Sequence, residues 1–460
     1  MLLGFSNTPM KPILPLAVNG GTRHIPSTAK LASPPTTSLD RELVMASLDS
    51  PAHAWGENCN LLQSEWAKWN GNQFCMALTS GTSALHMALV ACGMQAGDEI
   101  LTPAYSWTSS ATCILHGAGI PVFVDIDPTW TNIDPVKIEA AITPRTKGIM
   151  VVHLHGVPAQ MDEIMAIAKR HNLFVIEDAC QAHGALYRGS KVGTIGHAAA
   201  FSLNQNKMLS AGEGGLFVCN DEALIERGRS LALFGDFAIR SADIDSSRAH
   251  GLGLMCRYNE LSAAYARAQL QQLDDGIAHA RHLFAILRDK LANYPGLILP
   301  VEPTFGSENG YNFVCHVDPA PLGYDGPVNV CREAIVVALQ AEGVPCGIWQ
   351  RRILPELSAI AARDAYGNGS PWRENNSTVN YDPAQFPAAL YHSASYFIFN
   401  GLRRPNSDQL ATQIAEAVDK VWNQYGTLNI EALAEGADVS LYERGWKSQQ
   451  EDIKGLEPVG

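Results

Sequence analysis

The sequence is poor in charge and has no long block of one sign. Only 17% of its 460 residues are charged, and the formal net charge of −13 comes from residues scattered along the chain. It lacks the basic stripe that nucleic-acid surfaces require, so we expect no nucleic-acid partner. With 46% hydrophobic residues, the chain can bury a large core divided between about two folding units. These properties predict a soluble, enzyme-sized globular protein.

Long apolar runs and paired cysteines are also missing. No stretch is apolar for long enough to cross a bilayer. The segment 1–21 is interrupted by prolines and has no charged leader, unlike a secretion signal. The ten cysteines form no C-x-x-C pair, and several lie in apolar runs where a free thiol behaves as a small hydrophobe. We therefore predict a cytoplasmic protein without a membrane partner.

Signatures of two common enzyme classes are absent. No G-x-G-x-x-G turn follows an early strand, which argues against a nicotinamide-dependent oxidoreductase. His153 and His155 lie two apart on a predicted strand and would share a face, but no third ligand with metal-site spacing accompanies them. We predict no metal site and interpret both histidines as strand packing.

Between about residues 75 and 220, short β-rich runs alternate with helical patterns. Continuous apolar strands separated by helices are typical of a largely parallel sheet covered on both faces, which predicts an α/β fold. A long helical pattern from Glu260 to about Leu291 then leads into a smaller α+β unit. The predicted segments are an N-terminal arm (1–40), a large α/β domain (41–290), a small C-terminal α+β domain (291–430) and a polar tail (431–460).

Ser80-Gly81-Thr82-Ser83 follows the first predicted strand and opens a helix. The backbone N–H groups and hydroxyls of Gly81, Thr82 and Ser83 can hold a phosphate at the positive end of that helix. An ordinary helix cap is the alternative.

Polar or aromatic side chains also follow two other strands. Glu177 and Asp178 end a buried apolar run, and ligands of open parallel sheets bind outside the carboxyl ends of strands. Asp178 can pair with a protonated pyridinium nitrogen, as a carboxylate does beside pyridoxal phosphate, or it can cap the next turn. An aromatic ring in Pro103–Thr108, which comes just after a strand, can stack on a cofactor ring, although strand-end aromatics also serve as plain packing.

Lys207 follows the apolar run Ala199–Ser202 and precedes Gly212-Glu213-Gly214-Gly215. A lysine held in a dry pocket favours the neutral amine, which attacks an aldehyde to form a Schiff base. Ser202, five residues earlier, can supply a phosphate hydroxyl or can bond neighbouring backbone. A phosphate cradle, a stacking ring, a carboxylate and a lysine in one α/β domain together predict a pyridoxal-phosphate site.

Three segments resemble the DegT/DnrJ/EryC1/StrS aminotransferase family: Ser80–Leu85, Glu177–Gly184 and Phe201–Gly215. The likeness extends over roughly residues 15 to 425. The opening Leu16–Thr22 is similar to the branch with aminocyclitol aminotransferases and 3-amino-5-hydroxybenzoate synthase. This resemblance implies the fold-type I, aspartate-aminotransferase-like architecture and a homodimer.

The resemblance also implies roles for single residues. Lys207 forms the Schiff base, Asp178 bonds the pyridine nitrogen and Gln181 contacts the ring hydroxyl oxygen. Trp107 stacks on the ring. The phosphate is held by Gly81, Thr82 and Ser202. His183 lies beside the site, where it either faces the substrate or packs behind the residues that do.

Two segments depart from the family pattern. Gly253-Leu254-Met255-Cys256-Arg257 has Met255 where the family has an asparagine that reaches the phosphate of the neighbouring subunit. A thioether cannot donate that hydrogen bond, so another donor is required or this bond is missing. The region 347–352 matches no sugar-aminotransferase pattern, so the substrate is not identified.

The expected function is that of a pyridoxal-phosphate-dependent aminotransferase. It would move an amino group from an amino acid, glutamate or glutamine, to a keto-cyclitol or keto-sugar in a biosynthetic, secondary-metabolite pathway. The alternative is another reaction of the same cofactor and fold, such as aldol cleavage or dehydration. Lys207 argues against the family dehydratases in which a histidine replaces it. Lys207 and Asp178 together argue against a non-enzymatic binding protein.

Overall fold

The computed structural model describes residues 14–26, 34–235, 252–437 and 439, so parts of the predicted arm and tail lie outside the described residues. The described strands are β1 (Phe74–Leu78), β2 (Glu99–Pro103), β3 (Ile120–Val124), β4 (Thr146–Val152), β5 (Phe174–Asp178), β6 (Leu186–Tyr187), β7 (Ser190–Lys191), β8 (Ala198–Ser202), β9 (Gly215–Cys219), β10 (Leu297–Ile298), β11 (Gly306–Ser307), β12 (Phe313–Val317), β13 (Cys346–Gly347) and β14 (Tyr396–Phe399).

The described helices are α1 (Ser38–Leu48), α2 (Glu57–Asn70), α3 (Gly81–Ala91), α4 (Ser109–His116), α5 (Pro135–Ile138), α6 (Met161–His171), α7 (Glu222–Ala232), α8 (Glu260–Leu270), α9 (Leu273–Leu291), α10 (Val328–Ala341), α11 (Ser358–Ala361), α12 (Pro387–Ser395), α13 (Asp408–Trp422) and α14 (Ile430–Ala434). Among them, no helix combines the length and apolar character that a membrane span requires. All ten cysteines are free thiols.

The main sheet has seven strands in the order β1-β9-β8-β5-β4-β2-β3. Only β9 runs antiparallel to its neighbours β1 and β8. The strands are mainly apolar in their central residues because both faces of the sheet are covered, as the sequence pattern predicted. Successive residues point to opposite faces, so Val175 packs in the core beneath α2, α6 and α8, whereas Ile176 packs in the core beneath α3 and α7. The predicted α/β class is confirmed.

A second sheet lies in the C-terminal part of the chain and is antiparallel, with the order β10-β12-β14-β13. It shares a hydrophobic core with α10 and α13, to which Leu16 and Ile25 of the N-terminal segment also contribute. This sheet follows the predicted change to a smaller α+β unit.

The long helix expected from Glu260 to Leu291 is instead two helices, since α8 ends at Leu270 and α9 begins at Leu273. Asp274 and Asp275 lie in the first turn of α9, where carboxylates favour the positive end of a helix, and Asp274 accepts a hydrogen bond from Trp69 Nε1 at 3.1 Å. These contacts stabilise the start of α9, although the helical spacing of apolar residues continues without a break from α8 into α9.

Two further expectations differ from the structure. β4 ends at Val152, so His153 and His155 lie beyond the strand, and His155 adopts a left-handed conformation (φ 57°). They therefore do not share a strand face. Part of the predicted polar tail is packed, because α14 lies in it and the buried Val439 accepts a hydrogen bond from Ile348 N.

Glu177 is a buried anchor between β5 and the loop that leads to β8. Its carboxylate accepts hydrogen bonds from His153 Nε2 at 2.9 Å and from the backbone N–H groups of Gly193, Ile195 and Gly196 at 2.6, 2.8 and 2.6 Å. Burial acts to raise the pKa of this carboxyl, but these hydrogen bonds outweigh it, and the pKa lies below its usual 4.5.

We expect Glu177→Gln to lower the free energy of unfolding at pH 7 by about 2–3 kcal/mol, because an amide cannot accept all four hydrogen bonds. Since the folded pKa is the lower one, the wild-type stabilisation is present above pH 4.5 and is lost as the pH falls through the folded value. Urea unfolding of both proteins at pH 7 measures the loss. Glu163→Gln, at an exposed site, is the control. Equal unfolding midpoints for Glu177→Gln and wild type would contradict this account.

Candidate active site

The carboxyl end of β5 presents a buried carboxylate. Asp178 is 6% exposed, its Oδ2 accepts a hydrogen bond from Ser110 Oγ at 2.8 Å, and its Oδ1 accepts one from Cys180 N at 3.2 Å. Ser110 in turn bonds Ser106 Oγ at 2.8 Å. No cation of the described residues pairs with Asp178. A buried carboxylate held only by neutral donors retains its negative charge for a ligand.

The N-terminus of α3 lies beside this carboxylate. Ser80 caps the helix, and the Ser83 hydroxyl bonds back to Ser80, so Ser83 is committed to the cap. Thr82 Oγ1 lies 2.8 Å from Ser109 Oγ. A Cβ on Gly81 would meet Ser202 Cβ at 3.0 Å, so only glycine lets the helix approach the end of β8 so closely. Two predicted phosphate contacts, Gly81 and Ser202, are thus brought together.

Lys207 lies five residues beyond β8 and is half-buried. Its Nζ lies 3.4 Å from Tyr311 Oη. Burial raises the pKa of the neighbouring Cys180 thiol, the Asp178 carboxylate raises it further, and the Lys207 ammonium lowers it. Tyr311 N donates to Asn309 Oδ1, and Asn309 Nδ2 donates to Gln181 O in the turn that follows Asp178, so a series of contacts joins the predicted lysine to the segment of the predicted carboxylate.

Three residues of this site were missed by the sequence analysis. Asn309, fully buried, donates from Nδ2 to Gln181 O at 2.9 Å and accepts the Tyr311 N–H on Oδ1 at 3.0 Å. The Arg403 guanidinium lies 5.8 Å from the centre of the Tyr311 ring. No local pattern marks these residues, because they lie about 100 to 200 positions after Lys207 and reach it only through the fold.

Gln181 is oriented by a backbone group. Its Oε1 accepts the His155 N–H at 2.8 Å, so its Nε2 is the end left to donate to a ligand. The His155 side chain bonds Asn312 Nδ2 at 3.0 Å, and burial, with the charge of His316, lowers its pKa to about 3. The left-handed turn at His155 is what aims its N–H at Gln181.

Trp107 follows β2 and lies against a second indole. Its ring centre is 5.6 Å from that of Trp349, at an interplanar angle of 36°. Trp349 belongs to the segment 347–352 that matched no family pattern, and its neighbour Gln350 accepts a hydrogen bond from Tyr105 Oη at 3.0 Å. This unmatched segment therefore borders the site.

His183 is fully buried and packs edge-on against Trp66, with ring centres 5.7 Å apart. Its Nε2 donates to Ser202 O at 2.9 Å, while its Nδ1 has no partner among the described residues. Burial, reinforced by the Lys207 charge, lowers the pKa of His183 to about 3. A neutral, inaccessible ring supports the packing interpretation.

Met255 remains a departure from the family pattern. Its side chain is 47% exposed, and its sulfur lies 3.2 Å from Arg257 Nε.

His153 bonds Glu177, whereas His155 bonds Asn312, so the two histidines contact different residues. No group of three metal-ligating side chains occurs in the described part of the chain.

Comparison with known proteins agrees with this geometry. Protein MosB of Rhizobium meliloti is 34% identical over 312 residues, which are 65% of this chain and 62% of that protein. The L-glutamine:2-deoxy-scyllo-inosose aminotransferase of Streptoalloteichus tenebrarius is 33% identical over 79% of this chain and 86% of its own length. The crystal structure of 3-amino-5-hydroxybenzoic acid synthase superposes with a TM-score of 0.75 at 27% identity, covering 86% of this chain and 99% of that one.

The sequence profile of the DegT/DnrJ/EryC1/StrS aminotransferase family matches residues 36–366, which contain all three motif segments. The predicted family and enzyme class agree with this match. The chain, with Lys207, Asp178 at the end of β5 and the helix α3 that begins at Gly81, belongs to the DegT/DnrJ/EryC1/StrS aminotransferase family.

Proposed function

We propose that the protein binds pyridoxal phosphate and transfers the amino group of glutamine or glutamate to a keto-cyclitol or keto-sugar. The observation that carries this proposal is the convergence of Lys207 and Asp178 at one sheet edge beside the N-terminus of α3. The relative that acts on L-glutamine and 2-deoxy-scyllo-inosose supports these substrate classes. A homodimer, as the family resemblance implies, is part of the proposal.

The residues present fit that cofactor. Asp178 is buried without a cation among the described residues, which suits a protonated pyridine nitrogen. The helix N-terminus at Gly81 and Thr82, with the Ser202 hydroxyl, suits a phosphate. The Nε2 of Gln181, which has no partner among the described residues, suits the ring hydroxyl oxygen. Trp107, backed by Trp349, supplies a flat surface for the ring.

When bound, pyridoxal phosphate withdraws electrons from Cα of the amino donor and makes the Cα proton acidic. Lys207 Nζ is the base that accepts this proton, and Tyr311 Oη at 3.4 Å holds the amine in place. Asp178 keeps a positive charge at the ring nitrogen, where it favours electron withdrawal. His183 packs beneath Ser202 and takes no proton.

The test uses the amino donor alone. Purified protein loaded with pyridoxal phosphate should, on addition of L-glutamine, shift its absorbance to shorter wavelength and form one equivalent of the corresponding keto acid. Adding 2-deoxy-scyllo-inosose should then reverse the shift and yield an aminated product. An unchanged spectrum with every amino donor, together with cleavage or dehydration of a hydroxylated substrate, would instead support the alternative reaction on this fold.

A further inference from the structure

Asn309 is a fully buried asparagine whose side-chain amide joins two parts of the candidate site. Its Nδ2 donates to Gln181 O at 2.9 Å and to His183 O at 3.2 Å, in the turn that follows Asp178. Its Oδ1 accepts the Tyr311 N–H at 3.0 Å. Both N–H groups and the oxygen of this amide are therefore bonded, and a flipped amide would turn its oxygen toward two carbonyl groups.

The loop that orients the Gln181 side chain is also held by Asn309. The Asn309 N–H donates to Gly156 O at 3.1 Å, and a Cβ on Gly156 would lie only 1.9 Å from Asn309 Oδ1, so this loop packs directly against the amide. The preceding residue, His155, donates its N–H to Gln181 Oε1 at 2.8 Å. Asn309 thus supports Gln181 twice, at its backbone carbonyl and through the loop that holds its side chain.

Asn309 also supports the residue that contacts the reactive amine. Tyr311, whose N–H bonds Asn309 Oδ1, places its Oη 3.4 Å from Lys207 Nζ. Gln181 follows β5, Lys207 follows β8 and Asn309 precedes β12. The amide of Asn309 therefore links segments that are far apart in the sequence.

The chemistry of the cofactor gives this link a purpose. In pyridoxal phosphate the ring hydroxyl and the aldehyde are on adjacent ring carbons, so the group that binds the hydroxyl and the lysine that attacks the aldehyde must keep one spacing. A displacement of about 1 Å is enough to slow an enzymatic step by about 10²-fold. We propose that Asn309 is a positioning residue that sets the spacing between Gln181 at the ring hydroxyl and Lys207 at the aldehyde, an inference that rests on the proposed function.

Binding of two ligands to the full-length protein, freed of cofactor, tests this inference without turnover. Pyridoxal phosphate and 3-deoxypyridoxal phosphate differ only in the ring hydroxyl, so the Kd of the analogue divided by that of the cofactor measures the hydroxyl contact alone. Asn309→Asp keeps the Oδ1 acceptor but loses the donor to Gln181 O. At pH 8 it should reduce this Kd ratio at least about 5-fold, as should Gln181→Ala. Absorbance titration gives both Kd values.

A double-mutant cycle shows whether Asn309 acts through Gln181. In the Gln181→Ala background, Asn309→Asp should change the Kd ratio by less than about 2-fold, because the contact that it positions is already lost. Asn72→Asp is the matched control and should retain the wild-type ratio. Asn72 is also buried, with its Nδ2 bonded to Gly193 O and its Oδ1 to Asn70 Nδ2.

Asn309→Ser is a second, uncharged variant should Asn309→Asp be unstable. Its hydroxyl is too short to replace the bonds to both Gln181 O and Tyr311 N, so it should lower the Kd ratio as well. In the cofactor-saturated enzyme it should lower kcat at least about 10-fold, while KM for L-glutamine changes less than about 3-fold. This division between kcat and KM is expected of a displaced lysine amine rather than of a lost donor contact.

Separate outcomes would overturn this inference without touching the proposed function. A wild-type Kd ratio in Gln181→Ala, or in both Asn309→Asp and Asn309→Ser, would remove the positioning role. An equal reduction in Asn72→Asp, or additive effects of Asn309→Asp and Gln181→Ala, would show that Asn309 only stabilises the fold. Failure of the proposed function would appear instead in the wild type, as a protein inert toward every amino donor.

Discussion

Replacing Lys207 with alanine should reduce kcat for transamination by about 10³-fold or more, because under the proposed function it removes both the covalent anchor and the base at the donor Cα. Tyr311 Oη, 3.4 Å away, is a phenol and does not replace an amine in either role. Steady-state kinetics with L-glutamine and 2-deoxy-scyllo-inosose measure the loss. A small amine such as ethylamine should restore part of the activity, since the cavity left by the side chain admits a substitute base.

Lys191 is the matched control for this experiment. It is also half-buried in the same part of the fold, but its Nζ lies 3.5 Å from the centre of the Trp69 ring and donates to Trp69 O. Lys191→Ala should change stability rather than kcat. Wild-type turnover in Lys207→Ala, or an equal loss in both variants, would remove Lys207 from the chemistry.

The second large effect is expected at Asp178. Asp178→Asn should lower kcat by about 10²–10³-fold, because the preorganised negative charge proposed to face the ring nitrogen is lost while the shape of the side chain is kept. Asparagine can still accept the Cys180 N–H on its Oδ1, and its Nδ2 can donate to the Ser110 hydroxyl, which then acts as the acceptor, so both contacts are kept. The melting temperature should therefore change little.

This substitution also separates the two interpretations of Asp178. Asparagine caps a turn about as well as aspartate, so a purely structural Asp178 predicts normal kinetics in the asparagine variant. Glu177→Gln is the matched control one residue earlier, since Glu177 points to the opposite face of the sheet and bonds the loop before β8. The two variants should thus lose different properties: Asp178→Asn loses rate, and Glu177→Gln loses stability.

The sequence predicts well those features that depend on local periodicity. The strands of the main sheet, the helix that starts at Gly81 and the strand-end position of Asp178 follow from apolar runs, a capping serine and the length of each run. The antiparallel direction of β9 cannot be predicted from these patterns, because a buried strand is equally apolar in either direction. The break before α9 and the left-handed turn at His155 likewise leave the apolar period unaltered.

Tertiary contacts explain the rest of what the sequence does not predict. Asn309, Tyr311 and Arg403 acquire their importance only when the C-terminal segments pack beside Lys207. The sequence around each of these three residues is typical of ordinary strands and loops. For the fully buried His183, the resemblance leaves substrate contact and packing open, and its surroundings, Trp66 and Ser202 O, support packing.

The most direct measurement is reduction of the cofactor-loaded protein with borohydride, followed by mass spectrometry of its peptides. A Schiff base between pyridoxal phosphate and Lys207 predicts one stable phosphopyridoxyl label per chain, on the peptide that contains Lys207, and no label in Lys207→Ala. A wild-type protein that carries no label, or carries it on another lysine such as Lys191, would contradict the account.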